Sequence, residues 1–244
     1  MRVVRQYVDA TLAEGAVVVL PEDAVAHLVR VLRLGLGDPV TLFNGDGFDY
    51  AAKISSISKK SGEAQVLERC RVDNESGLHL TLAQGIARGE KMDLILQKAT
   101  ELGVIRIVPV ITDRTEVRLD GERAAKRMLH WRGVVVAASE QSGRARVPEV
   151  TEAQTLANFA GDTSPGLRFL LDPLADKGIA DAGIEPGHRV TLLIGPEGGL
   201  SERDRLVLHA AGYQGLRLGP RILRMETAGL AALAAINALF GDWR

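Results

Sequence analysis

From Leu78 onward, short apolar runs alternate with segments of helical spacing, and this alternation constrains the fold of the 244-residue chain more than any other feature. LHLTLAQGI reads as a buried strand. In KMDLILQKATEL, Met92, Ile95, Leu96, Ala99 and Leu102 fall on one helical face, and Gly103 follows as a natural stop. VIRIVPVIT is the next apolar strand, and a long helical stretch covers about Gly121–Ser139. LRFLLDP and RVTLLIG are further strands, each leading through a turn into a helical pattern. ETAGLAALAAINALF, Glu226–Phe240, is the last helix. Such alternation predicts an α/β domain built on a parallel sheet.

Residues 1–70 follow a different grammar. VVVL, PVTLF, YAAKISSI and EAQVLERC are short β-rich runs separated by turn signals such as GLGD and NGDG. One helix is expected at Asp23–Leu34, begun after Pro21 and stopped by Gly35. A small β-barrel-like module is the natural reading. The polar linker DNESG, Asp73–Gly77, places the boundary, giving domains at residues 1–73 and 78–244.

Composition removes several function classes. The single cysteine, Cys70, cannot form an internal disulfide. The first residues, MRVVRQYVDATLAEG, carry charges throughout and lack the apolar core of a secretory signal. No apolar run reaches the length of a transmembrane helix. A cytoplasmic protein is the expectation, with no membrane partner. Net charge is −1, and the basic excess sits in residues 81–150, with 12 Lys and Arg against 9 Asp and Glu. A non-specific nucleic-acid binder would carry more. Recognition of one folded RNA site through a local patch remains open.

Two stretches carry the chemistry. The apolar run TLLI ends abruptly in GPEGG, and Ser201 with Asp204 then signals a helix start. Loops at the carboxyl ends of parallel strands bind ligands in open α/β sheets. Gly195, Gly198 and Gly199 would let backbone approach such a ligand closely. A tight turn without a ligand is the equal alternative from the loop alone. Neither nucleotide fingerprint, G-x-G-x-x-G opening a helix or G-x-x-x-x-G-K-[ST], is present. Glu197 in mid-loop would repel a pyrophosphate and suits a cation or an adenosine edge. No Cys/His cluster has metal-ligand spacing, so no metal is expected. The second stretch is LRLGPRILRMETAGLAAL, Leu216–Leu233. Here Arg221, Arg224 and Glu226 precede a helix whose Ala228, Ala231, Ala232 and Ala235 permit close packing. Arginines at a helix N-terminus oppose the macrodipole, which favours a binding role over a solvated turn.

The two Gly-Pro loops, with MRVVRQY, HLVRVLRLGLGD, DLILQKATELGVIRIVPVITDR and ASEQSGRARVPEV in order, carry a resemblance over essentially the whole chain. The chain resembles the bacterial 16S ribosomal RNA uridine-N3 methyltransferases, within the SPOUT or trefoil-knot superfamily. The resemblance implies a deep trefoil knot in a parallel-sheet α/β domain, preceded by a PUA-like β-barrel that helps bind RNA. It implies S-adenosylmethionine (SAM) as cofactor, a homodimer, and the small ribosomal subunit with its RNA as partner.

For the cofactor, the resemblance points to Leu171, then Ile194, Gly195, Pro196, Glu197, Gly198 and Gly199, then Leu218, Gly219, Leu223, Thr227 and Ala228. Uracil N3 is a poor nucleophile until its proton leaves, so a base or an anion-stabilising cation is required. Arg224 and Arg144 are the candidate cations, and Glu140 and Glu226 the candidate bases. The structural alternative is a buried salt bridge, such as Arg224 with Glu226 or with Glu140 of a second copy. Arg2, Arg5, Arg30 and Arg33 are the candidate RNA contacts; two solvated arginines at a frayed terminus are the alternative for the first pair. Met225 stands where the family commonly has threonine, which removes a hydroxyl beside the loop. Rival functions are methylation of a ribose 2′-oxygen or a guanine, a catalytically silent RNA-binding dimer, and a nucleotide-dependent α/β enzyme.

Overall fold

The structure is a computed structural model that describes residues 4–58, 61–117 and 121–243, apart from the side chains of Arg30 and Val31. It divides into two compact units. One comprises Met1–Glu75 with Ser139–Val147, and the other Ser76–Ala138 with Pro148–Arg244. Residues 139–147, counted by sequence with the second domain, therefore belong to the first.

The first unit is a five-stranded sheet of β1 (Val4–Tyr7), β2 (Val17–Leu20), β3 (Pro39–Phe43), β4 (Phe48–Ile57) and β5 (Gly62–Arg71), ordered β1-β3-β4-β5-β2. Only β1 and β3 run parallel; the other neighbours are antiparallel. The period-2 pattern is clean in β2, where Val18 and Leu20 are buried and Val17 and Val19 are exposed. The core joins those two to Val25, Leu28, Leu42, Tyr50, Ile54 and Val66. The expected helix begins as α1 (Glu22–Ala26) and continues as a π-turn over His27–Val31. It ends at Val31, with Leu32 as C-cap, short of Gly35. Arg33 takes the left-handed conformation, φ 56, and the Leu34 N–H donates to the Leu28 carbonyl at 2.9 Å.

Among the described residues, the second unit has a seven-stranded sheet. Its strands are β6 (His79–Gly85), β7 (Arg106–Ile111), β8 (Glu149–Val150), β9 (Gln154–Thr155), β10 (Leu167–Leu171), β11 (Arg189–Ile194) and β12 (Gln214–Leu216). All pair in parallel, in the order β12-β10-β11-β6-β7-β8, with β9 also on β7. In β11, Val190, Leu192, Leu193 and Ile194 are buried, as a strand covered on both faces requires. Helices α2 (Glu90–Glu101), α4 (Leu156–Ala160), α5 (Glu202–Ala210) and α6 (Met225–Phe240) complete the unit, with α3 (Gly121–Ser142) up to Ala138. In α2, Met92, Ile95, Leu96 and Ala99 are buried as the spacing predicts, and Gly103 follows at φ +83. The small-residue helix α6 packs on α2 and β11.

Helix α5 opens with the expected capping box. Ser201 Oγ accepts from the Asp204 N–H at 3.0 Å, and Asp204 Oδ2 accepts from the Ser201 N–H at 2.9 Å. Ser201 Oγ also donates to Asp113 at 2.8 Å. Ser201→Ala is expected to cost about 1 kcal/mol of stability, the usual worth of an N-cap, read by calorimetry. An unchanged Tm would show that the cap carries no net stabilisation.

Candidate active site

The loops that follow β10, β11 and β12 enclose a cavity of about 410 Å³ at the carboxyl ends of those strands. A ligand site is expected there in an open α/β sheet. Of the residues assigned to a cofactor from sequence, Leu171, Ile194, Gly195, Pro196 and Glu197 line the cavity. So do Gly199, Leu218, Gly219, Leu223 and Ala228. Gly198 and Thr227 do not. The Gly198 carbonyl is turned to Arg114, whose Nη1 donates to it at 2.9 Å. Thr227 is exposed, one residue short of Ala228 on α6.

Local chemistry explains why the loop after β11 holds its shape. The Gly199 N–H donates to the Pro196 carbonyl at 2.8 Å, closing a tight turn that Gly199 completes at φ +68. Glu197 Oε1 accepts from the Arg88 N–H at 3.1 Å and lies 3.7 Å from Lys91 Nζ. Burial penalises the Glu197 charge, but the Arg88 and Glu197 N–H groups and the Lys91 and Arg88 charges outweigh it, so its carboxyl lies below the usual range. Lys91 also lies 3.8 Å from Glu226 Oε1. One ammonium thus faces two carboxylates, from the β11 loop and the first turn of α6.

Sequence reasoning missed several lining residues. Asp172 and Pro173 follow β10; Asp172 forms an ion pair with Arg205, which reaches over from α5. Leu200, Leu216 and Ile222 were missed as well, and Arg221 and Met225, noted in the second Gly-Pro stretch without a cofactor role, complete the wall. Asp172 could have been found as the first polar residue beyond an apolar strand, in the place where GPEGG follows β11. Gly85 was also missed. A Cβ there would lie 2.4 Å from Pro196 N and 2.7 Å from the Gly195 carbonyl carbon. The end of β6 therefore accepts only glycine beside this loop.

Of the expected reacting groups, only Arg224 lines the cavity. It stands at the N-cap of α6, exposed, with no side-chain cap bond and no ion pair to any described residue. The expected alternative of an Arg224–Glu226 bridge is not what the structure shows, because Glu226 faces Lys91. Arg144 and Glu140 belong to the first unit and are engaged there. Arg144 is buried, and its Nε and Nη2 donate to Glu75 at 3.1 and 2.5 Å. Glu140 Oε1 accepts from Gln6 Nε2 at 3.0 Å and from the Tyr7 N–H at 2.8 Å. The structural salt bridge foreseen for Arg144 is therefore real, with Glu75 as partner. Arg5 likewise is no solvated arm: it pairs with Asp49, donates to the Arg144 carbonyl at 3.0 Å and lies over the Phe43 ring. Arg33 is exposed, while Arg2 and the Arg30 side chain lie outside the described residues.

Burial pushes the Glu140 carboxyl above its ordinary range, against the opposing effect of the Tyr7 N–H and neighbouring cations. The folded state then holds that proton more tightly than the unfolded chain. This group's contribution to stability is greatest when protonated and falls as pH rises from the ordinary glutamate value through the raised one. Glu140→Gln keeps the acceptor and is expected to flatten that pH dependence with little change in Tm near neutrality. Glu140→Ala leaves the Tyr7 N–H without its partner and is expected to cost about 1–3 kcal/mol. Thermal melts of both variants from pH 4 to pH 8 (roughly the window of a raised carboxyl) check this; identical curves would remove Glu140 from the strand-holding role.

Comparison with known proteins adds an independent line. The RNA methyltransferase domain family matches residues 74–237, and the RNA methyltransferase PUA domain family matches residues 20–67. The chain belongs to the ribosomal RNA small subunit methyltransferase E family. A member from Buchnera aphidicola subsp. Schizaphis graminum is 30% identical over 99% of this chain and 98% of its own. The crystal structure of a member from Neisseria gonorrhoeae, bound to S-adenosyl methionine, is 38% identical, with a TM-score of 0.92 and 100% of both chains covered. A Legionella pneumophila protein, solved with bound cofactor SAM, is 37% identical, with a TM-score of 0.96 over 99% of this chain and 100% of that one.

Proposed function

We propose that this protein transfers the methyl group of SAM to N3 of one uridine in small-subunit ribosomal RNA, acting on the assembled subunit as a homodimer. The carrying observation is the cavity at the ends of β10, β11 and β12, formed by the loops to which the resemblance assigns the cofactor. Its chemistry fits SAM. Leu171, Ile194, Leu216, Leu218 and Ala228 offer an apolar surface for a purine, and the glycine turns expose main-chain groups to its polar edge. Asp172 and Glu197 place negative charge where hydroxyls and a cationic ligand can use it. The deep trefoil knot implied by the resemblance belongs to this proposal, with the same three loops as its crossings.

SAM supplies an electrophilic methyl on its sulfonium, so the protein's task is alignment and control of the uracil proton. Loss of the N3 proton leaves negative charge spread over O2 and O4. Arg224, on the cavity wall with no ion pair to any described residue, is the group that stabilises it. Glu226, held near Lys91, is the remaining candidate for taking the proton. Arg33 is the described candidate for an RNA phosphate contact outside the second unit.

A methyl-transfer assay with SAM and unmodified small subunits, read by nucleoside mass spectrometry, tests the whole reading. One new N3-methyluridine is expected. A product on ribose or guanine would overturn the acceptor, and equal rates on naked RNA and on subunits would overturn the assembled substrate.

A further inference from the structure

A second cavity, of about 250 Å³, opens at the amino ends of the strands, the far end of the sheet from the loops described above. Its floor is unusual for a parallel sheet. Four strands place Arg168, Thr191, Thr81 and Arg106 side by side in one straight register row across β10, β11, β6 and β7. Two residues back on the same face, Arg189 stands opposite His79. Positions covered on both faces of a parallel sheet are normally apolar. Here six polar side chains share one face, and all six line the cavity.

The charges are not equally committed. Arg168 donates to the Ala211 carbonyl at 3.2 Å and the Ser164 carbonyl at 2.8 Å, which fixes the loop that walls the site. Arg106 lies 3.3 Å from Glu149 and 4.0 Å from Asp162. Arg189 is exposed and its side chain has no hydrogen bond or ion pair to any described residue. Asp162 is the only carboxylate in the lining, against three guanidiniums. Guanidiniums beside hydroxyl donors in a concave site match the tetrahedral oxygens of a phosphate group. The cavity is smaller than a whole-nucleotide pocket, which limits the recognised part to the phosphate itself.

We propose that this arginine–threonine floor is a phosphate-binding site, separate from the methyltransferase pocket, with the uncommitted Arg189 as its free cation. Inorganic phosphate is the probe. Isothermal titration into the full chain, against chloride at matched ionic strength, is expected to show saturable phosphate binding. In Arg189→Glu the affinity should fall by about tenfold or more, with Tm and SAM affinity unchanged because Arg189 touches neither the core nor the first cavity. No binding beyond the chloride control, or equal binding by Arg189→Glu, would overturn the site. The source of the phosphate is read from methyl transfer. A raised KM for the small subunit in Arg189→Glu, with phosphate competing in the native protein, identifies the RNA backbone. An unchanged KM alongside lost phosphate affinity identifies free phosphate or a small phosphate ester.

Discussion

Gly85→Ala is expected to destabilise the second unit and to abolish SAM binding together, although the residue lines no part of the cavity. The added methyl would sit 2.4 Å from Pro196 N and 2.7 Å from Pro196 Cδ. Both atoms belong to the loop that closes the site. Neither side can yield cheaply. Gly85 is hydrogen-bonded into the sheet in register with Val110, and the Pro196 turn is tied by the Gly199, Arg88 and Arg114 contacts. Overpacking of this kind costs about 1–3 kcal/mol. For a unit of this size each kcal/mol corresponds to a fall in Tm of roughly 2–4 °C. Calorimetry and SAM titration on the same sample check the two parts. A variant with native Tm and native affinity would mean that the strand end and the loop separate without cost, and the account of why β6 ends in glycine would be wrong.

Arg224→Ala is expected to lower turnover by about 10²–10³-fold while leaving SAM affinity nearly unchanged. The loss is large because a guanidinium aimed at developing negative charge acts only in the transition state. Folding is expected to survive. Arg224 makes no side-chain cap bond to α6 and no ion pair with a described residue, so its removal strands no buried partner. Arg224→Lys keeps the charge without the planar fork and should recover only part of the rate. Single-turnover kinetics with saturating SAM separate this from a binding defect. Native turnover in Arg224→Ala would mean that the uracil anion does not depend on this guanidinium, and the catalytic assignment would fall.

The placement of Arg144 and Glu140 shows where a sequence stops being informative about a site. Both stand in ASEQSGRARVPEV, one of the stretches that carries the resemblance. Nothing in their spacing distinguishes a reacting group from a buried one. Their partners, Glu75 for Arg144 and the β1 residues Gln6 and Tyr7 for Glu140, are separated from them by most of the second unit's first half. Only after residues 139–147 return to the first unit do these pairs exist.

Features whose cause is local were legible in the sequence. Helical spacing and Gly103 set α2, the Ser201–Asp204 pair set the start of α5, and the near-continuous apolar run of β11 marked a strand covered on both faces. GPEGG and the second Gly-Pro turn marked most of the cavity wall, because a chain that must turn sharply at a strand end announces it in glycine and proline. The tertiary structure alone decided the rest: the approach of Gly85 to Pro196, the Asp172–Arg205 and Lys91 pairings, and the row of Arg168, Thr191, Thr81 and Arg106. Each depends on which strand lies beside which and in what register. Those choices are made by packing between residues far apart in the chain, and no local periodicity encodes them.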